Sequence, residues 1–220
     1  MAYTLLLTSA GIVPELKSYF LSLLSKKPTE NKVAFVTTAA YGETKNPVWI
    51  ERDRQRLYDY GIKNIEDLDL KNKTQRGLEK ILADKDIVFV NGGNTFYLLH
   101  WTRKSGFDKL ITGFLKRGGL YVGVSAGSYL ACPTIEAATW KHQDRNRIGV
   151  TDLTALNLVP FLITAHFEKK YRVIVDTMAT RTNYPVVALN DQQAVIVQGK
   201  KVTVIGQGKK ESWNGFTETE

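Results

Sequence analysis

Ser125 stands in the stretch GVSAG, residues 123–127, directly after an apolar run. The pattern G-x-S-x-G is that of a nucleophile elbow, in which a serine occupies a sharp turn from a strand into a helix. Such a turn pushes the hydroxyl out above the sheet and aims the first backbone N–H groups of the helix, its electropositive end, at the same point. An attacking oxygen and half of an oxyanion hole would then share one place, with Ala126 as the first donor. Three small residues in five also match by chance, and it is the preceding apolar strand that separates this match from a random one.

The stretch VNGGNTFYLL, residues 90–99, likewise runs from an apolar strand through a small-residue loop into a helical pattern. Glycine tolerates positive φ and lets a backbone come close to a ligand. Ligands of open α/β sheets bind beyond the carboxyl ends of the strands, so this loop and the elbow could face one another across a crevice. Gly92 or Gly93 could then donate the second oxyanion N–H. A phosphate loop fits poorly, because no lysine follows the glycines and the G-x-G-x-x-G spacing is missing.

A serine needs a base, and the chain offers His100, His142 and His166. His100 falls in the amphipathic TFYLLHW and reads as a helix-face residue. His142 lies in a polar stretch where a surface position is expected. His166 follows the apolar FLITA and should emerge at a strand end, where catalytic groups of such folds collect, so it is the preferred base. An acid must orient the imidazole. Asp191, which ends PVVALND at another strand end, is preferred. Glu168 competes, although a carboxylate so close to the histidine in sequence more often caps the following helix, and Asp144 and Asp152 are further alternatives.

These residues need elements to hold them. Short apolar runs alternate with longer amphipathic ones, the pattern of a parallel sheet covered on both faces by helices. Strands are expected over residues 3–8, 33–38, 65–70, 87–90 and 120–124, and helices over 14–24, 47–60, 75–82 and 107–116. Pro14 suits the start of the first helix and Gly61 the end of the second. After Leu130 the segment ACPTIEAATWKHQDRNRIGVTD breaks the pattern and reads as an excursion near the site, with the composition of a lid over 136–149. The strand-like LITAHF, a helix over 169–182 and strands over 186–189, 194–198 and 202–205 follow, and the tail ESWNGFTETE reads as peripheral. A single α/β domain over residues 1–220 is expected.

The lone cysteine, Cys132, has no partner in the chain, which suits a reducing compartment and a cytoplasmic location. The start MAYTLLLTSAGIV has no basic residues and turns polar at Thr8 and Ser9, too soon for a signal peptide. No run approaches the ~18 apolar residues of a membrane helix, so no membrane partner is expected. A net charge of +8 raises the question of nucleic acid. The cations are dispersed, however, and their densest groups, Lys169/Lys170/Arg172 and Lys200/Lys201 with Lys209/Lys210, lack stacking aromatics at regular spacing. No nucleic-acid partner is expected, whereas attraction of an acidic substrate is compatible with this charge.

Taken together, VNGGNTFYLL, GVSAGSYLACPTI, ITAHF and LNDQQAV resemble the dipeptidase E and cyanophycinase family of serine peptidases, over most of the chain. GGNT followed by an aromatic and leucines, with the elbow downstream, is more specific than G-x-S-x-G alone. The resemblance implies a three-layer α/β/α sandwich with a mostly parallel central sheet, like that of class I glutamine amidotransferases, and a Ser-His-acid site. It assigns the nucleophile to Ser125, the base to His166, the acid to Asp191 and the oxyanion donors to Gly93 and Ala126, with Asn94 and Thr95 as contacts to the substrate backbone. The order of these residues differs from that of α/β-hydrolases, where the acid precedes the histidine. The implied substrate is a small peptide with an aspartyl residue, α- or β-linked, at the cleaved bond. Such a side chain needs a cation, for which Arg172, Lys169, Lys170, Arg181, Arg145 and Arg147 are candidates. No cofactor and no metal are expected, and the chain is expected to be a monomer or homodimer. Relatives commonly carry Glu where Asp191 stands, so backbone position must compensate for the shorter side chain. The acidic residue that some carry further past the serine is replaced here, near Trp140. A non-catalytic ligand-binding relative, and a hydrolase of a non-peptide ester or amide, are the alternative readings.

Overall fold

The segment TLLLT folds as β1 (Thr4–Thr8), and its three leucines are fully buried. The structure, a computed structural model, describes residues 3–141 and 144–219. From β1 the chain runs through α1 (Lys17–Ser22), β2 (Lys32–Val36), α2 (Thr38–Glu43), α3 (Val48–Asp59), β3 (Asn64–Leu68), α4 (Gln75–Leu82) and β4 (Ile87–Val90). Then come α5 (Thr95–Ser105), α6 (Phe107–Lys116), β5 (Leu120–Val124) and α7 (Ala126–Ala131). A long connection leads to β6 (Leu162–Thr164), α8 (Arg172–Ala179), β7 (Val186–Ala188), β8 (Gln193–Gln198), β9 (Lys201–Gly206) and β10 (Glu211–Trp213).

Seven strands form the central sheet in the order β3-β2-β4-β5-β1-β8-β9. The first five are mutually parallel, and β8 and β9 are added antiparallel. Successive side chains of a strand point to opposite faces. Leu5 and Leu7 therefore join one apolar layer with residues of α4 to α7, whereas Leu6 joins the other with Phe20 of α1 and Leu57 of α3. Two apolar layers on a mostly parallel sheet make the three-layer sandwich that the alternation of runs predicts. The strand expected over 33–38 stops at Val36, since Thr38 turns the chain into α2. Its Oγ1 donates to Asp69 Oδ1 at 2.9 Å and accepts from the Leu70 N–H at 2.7 Å.

Larger differences follow the elbow. β6 and β7 do not extend the central sheet; with β10 they form a second one, in the order β10-β7-β6, where β6 and β7 are parallel and β10 is antiparallel to β7. The tail is accordingly not peripheral. The β6–β7 pair would leave one edge of β7 without backbone partners, and β10 supplies them. Trp213 packs edge-on against Phe167, with ring centres 5.9 Å apart, and donates from Nε1 to Asp176 Oδ1 at 2.7 Å. The excursion after Leu130 is not a loose lid at its start either, because Ala137, Ala138, Trp140 and Lys141 are buried. Further on, Asp144 accepts from the Thr95 N–H at 2.8 Å and the Arg145 carbonyl accepts from Asn94 Nδ2 at 2.9 Å, which ties the segment to the start of α5. His142 lies outside the described residues.

Trp213→Ala removes a half-buried aromatic from the seam between the second sheet and α8. A loss of about 2–3 kcal/mol is expected, somewhat under the range for a fully buried tryptophan. It should be read in urea unfolding as a lowered midpoint with an unchanged slope.

Candidate active site

β5 ends at Val124 and α7 begins at Ala126, so Ser125 alone makes the turn, with φ 47° and ψ −101°. Such backbone is strained for a residue bearing a Cβ and persists only where its surroundings impose it. The flanking glycines allow those surroundings to close in. A Cβ at Gly123 would lie 2.7 Å from the Gly127 carbonyl carbon, and one at Gly127 would lie 2.2 Å from the Val90 carbonyl oxygen. The motif thus needs glycine on both sides because α7 folds back over β5 and sits against β4.

His166 comes just past the end of β6, and it too has positive φ, 54°. Its Nε2 lies 3.0 Å from Ser125 Oγ and its Nδ1 lies 2.6 Å from Asp191 Oδ1. Asp191 occupies the turn between β7 and β8. Ser9, one residue beyond β1, completes the arrangement: its Oγ accepts from the His166 N–H at 2.7 Å and donates to Asp191 Oδ1 at 2.8 Å. The hydrogen bond from His166 holds the Asp191 carboxyl below its usual range, although partial burial acts the other way. Asp191 is therefore ionised near neutrality and faces a protonated Nδ1, which leaves Nε2 to accept from the Ser125 hydroxyl.

A cleft of about 320 Å³ opens over these groups, walled by Trp49, Arg52, Asp53 and Gly92-Gly93. Trp49 Nε1 donates to the Gly92 carbonyl at 3.1 Å. Gly93 has φ 140°, and a Cβ there would lie 2.3 Å from the Ala39 carbonyl oxygen, so α2 presses the loop into a shape open only to glycine. The Gly93 N–H has no partner among the described residues, and the Ala126 N–H, in the first turn of α7, needs none within the helix.

Other expected residues lie elsewhere. Asn94 is buried and caps α5, accepting from the Tyr97 N–H at 2.9 Å, and Thr95 is fully buried behind it. Arg172 reaches Glu211 and, at 3.8 Å, Asp176, and it lines a neighbouring groove with Phe167 and Lys169. Glu168 bonds Lys170 at 2.7 Å rather than the imidazole. Asp152 pairs with Arg103 at 3.0 Å, and His100 packs edge-on against Trp101. Ser9, Trp49, Arg52 and Asp53 are the site residues that the sequence did not single out. Among the described residues no group of three or more His, Cys, Asp or Glu has an arrangement that could hold a metal ion.

The family model described as peptidase family S51 matches residues 5–205. The chain belongs to peptidase family S51. It is therefore a serine-type peptidase, a hydrolase. An uncharacterized peptidase of Listeria monocytogenes is 28% identical over 176 residues, spanning 77% of this chain and 83% of that one. Peptidase E of Escherichia coli is 44% identical over 86 residues, 39% of this chain and 36% of that one. The crystal structure of a peptidase E-like protein from Listeria monocytogenes superposes with a TM-score of 0.81 at 26% identity, covering 94% of this chain and all of that one. That of a peptidase from an acI-B1 Actinobacterium, at 20% identity and a TM-score of 0.72, shares the fold, over 100% of this chain and 93% of that one. No helix among the described residues is long and apolar enough to cross a membrane.

One wall of the cleft in this S51 chain carries a charge that burial penalises. Asp53 is 2% exposed; its Oδ1 accepts from Arg56 Nη1 at 3.3 Å, while its Oδ2 has no partner among the described residues. Burial outweighs the attraction of Arg52 and Arg56 and pushes the carboxyl up to about 6. The folded protein thus keeps this proton to higher pH than the unfolded chain. The associated stability is present below the unfolded value and is lost as pH rises through about 6. Asp53→Asn has no proton to lose. Relative to wild type, the variant should gain about 2–3 kcal/mol between pH 4 and 7, read from urea midpoints of both proteins across that range.

Proposed function

We propose that this S51 peptidase is a dipeptidase-like enzyme that hydrolyses a short peptide at an aspartyl residue, α- or β-linked, with Ser125 as nucleophile, His166 as base and Asp191 as the orienting acid. Its main support is the unbroken line of contacts from Asp191 Oδ1 through the imidazole to Ser125 Oγ, at 2.6 and 3.0 Å. His166 Nε2 takes the hydroxyl proton as Oγ attacks the peptide carbonyl carbon, and the N–H groups of Gly93 and Ala126 receive the oxyanion. The imidazolium then gives its proton to the leaving nitrogen, the C–N bond breaks and an acyl-enzyme remains. A water molecule that loses its proton to His166 attacks the ester, and Oγ regains a proton as the acid product leaves. Asp191 stabilises the imidazolium in both halves without itself being protonated. Each oxyanion donor contributes ~10²- to 10³-fold.

The aspartyl preference draws on the family resemblance and on the wall of the cleft. Arg52 is the cation that lines the cleft, and its side chain is 55% exposed. Its Nε lies 3.7 Å from Asp53 Oδ1, and a carboxylate on the substrate would meet the exposed part of the guanidinium there, whereas Arg172 lines the neighbouring groove and is engaged by Glu211. The small volume of the cleft suits a peptide of few residues.

A fluorophosphonate probe should label wild-type Ser125 and leave Ser125→Ala unlabelled, and His166→Ala should slow labelling by about 10³-fold or more. On a panel of Asp-Xaa dipeptides, β-aspartyl dipeptides and p-nitrophenyl esters, an aspartyl dipeptide should be turned over best. Turnover of esters alone would replace the peptidase reading with that of an ester or amide hydrolase, and absence of label on Ser125 would leave a ligand-binding relative. Arg52→Gln should raise KM for the aspartyl dipeptide about tenfold with kcat little changed, since the contact it removes is made equally in the ground and transition states.

A further inference from the structure

The peptide unit that joins Ala165 to His166 is held at both ends. Its N–H, on His166, donates to Ser9 Oγ at 2.7 Å, and its carbonyl, on Ala165, accepts from Lys141 Nζ. Lys141 is 7% exposed, a placement that lysine rarely takes. Its Nζ lies 5.6 Å from the centre of the Tyr171 ring, and the charges of the Asp191, Asp144 and Glu168 carboxylates favour its charged form. Burial acts against them and prevails, bringing the ammonium down to about 8. A cation kept here at such cost has no step of its own in the acyl transfer.

Its partner explains the placement. Rotation about the N–Cα bond that follows this peptide unit is the φ of His166, and its value of 54° is one that residues with a side chain seldom adopt unaided. The neighbouring backbone is fixed as well: the Ala165 N–H donates to Tyr129 Oη at 3.0 Å and the Phe167 N–H to the Leu189 carbonyl at 2.9 Å. We propose that Lys141 is a positioning residue for the proposed base. Its ammonium anchors the carbonyl of that peptide unit opposite Ser9 and so holds the His166 backbone in the one shape that points the imidazole at Ser125. The inference rests on the role proposed for His166. Without Lys141 the Ala165 carbonyl would be left buried and unpaired, the unit would turn to relieve it and the imidazole would follow. A displacement of about 1 Å at a catalytic group can cost ~10²-fold in rate.

The test uses the rate at which a fluorophosphonate labels Ser125, measured from pH 6 to 10 in wild type, Lys141→Met and Lys141→Arg, with near-ultraviolet circular dichroism to establish folding. Wild type should lose about fivefold as pH rises through about 8, because a neutral amine holds the carbonyl less strongly than an ammonium. Lys141→Met should be labelled roughly 10- to 100-fold more slowly at pH 7 and lack that alkaline fall. Lys141→Arg, charged throughout, should recover most of the rate at pH 7 and keep it above pH 8. A folded Lys141→Met labelled within about twofold of wild type overturns the proposal while leaving the Ser-His-Asp assignment intact. If Lys141→Met does not fold, the same alkaline fall in Lys141→Arg as in wild type overturns it. A wild type that takes no label at Ser125 removes the assignment of His166 and this inference together.

Discussion

The Ser9 hydroxyl bonds both of the turns that carry the base and the acid to the strand beside the elbow. Ser125 is carried by the central sheet, at the end of β5, whereas His166 and Asp191 stand on the turns that follow β6 and β7 of the second sheet. Ser9 directly follows β1, the strand between β5 and β8, and its one oxygen accepts from the His166 backbone and donates to the Asp191 carboxylate. Both of its hydrogen-bonding roles are used across the junction. The imidazole and carboxylate are thereby referenced to the same strand that pairs with the elbow, where the Ser125 N–H donates to the Thr8 carbonyl at 3.0 Å.

The elements meeting here pay for that convergence in backbone strain. Ser125 and His166 both hold positive φ, a cost of the order of 1–3 kcal/mol each. Such strain survives where packing on every side over-determines the conformation. On the Ser125 side the packing comes from α7 lying against β4 and β5, close enough that Gly123 and Gly127 have no room for a methyl group. On the His166 side it comes from polar anchors, because a turn at the end of a three-residue strand has too little apolar surface to fix it. The two halves of the site are held by different physics, close contact in one and directed hydrogen bonds in the other.

That difference also decides what the sequence made legible. Close packing leaves a composition signal, and the elbow, the GGNT loop and the five β/α units were readable because glycine and apolar periodicity report contact directly. Residues 75–82 and 107–116 form helices with the bounds that their pattern implied. Directed hydrogen bonds leave almost none. Ser9 is one small polar residue after a strand, Arg52 one of several charges on α3, and Lys141 one lysine in a polar segment. Short apolar strands do not declare which sheet they join, so the separate β10-β7-β6 sheet and the structural role of the tail were hidden. Among the candidate cations, Arg172 opens α8, and its guanidinium reaches Glu211.

The choice of an aspartate rather than a longer glutamate as the proposed acid follows from the turn that carries it. The Asn190 N–H donates to Gln193 Oε1 at 3.1 Å, the Gln192 N–H to Asn190 Oδ1 at 2.8 Å and the Gln193 N–H to the Asn190 carbonyl at 3.0 Å. These bonds curl the chain tightly at the end of β7 and carry the Asp191 backbone toward the imidazole, so one methylene suffices to reach Nδ1 at 2.6 Å. A longer side chain on the same turn would have to fold back and would lose more rotamer freedom on being fixed. Glu168 has the length but is not bonded to the histidine. Its backbone leads into the turn before α8, and its carboxylate faces Lys170. The reach of the acid is therefore set by the turn in which it stands, and the side chain's length follows from that.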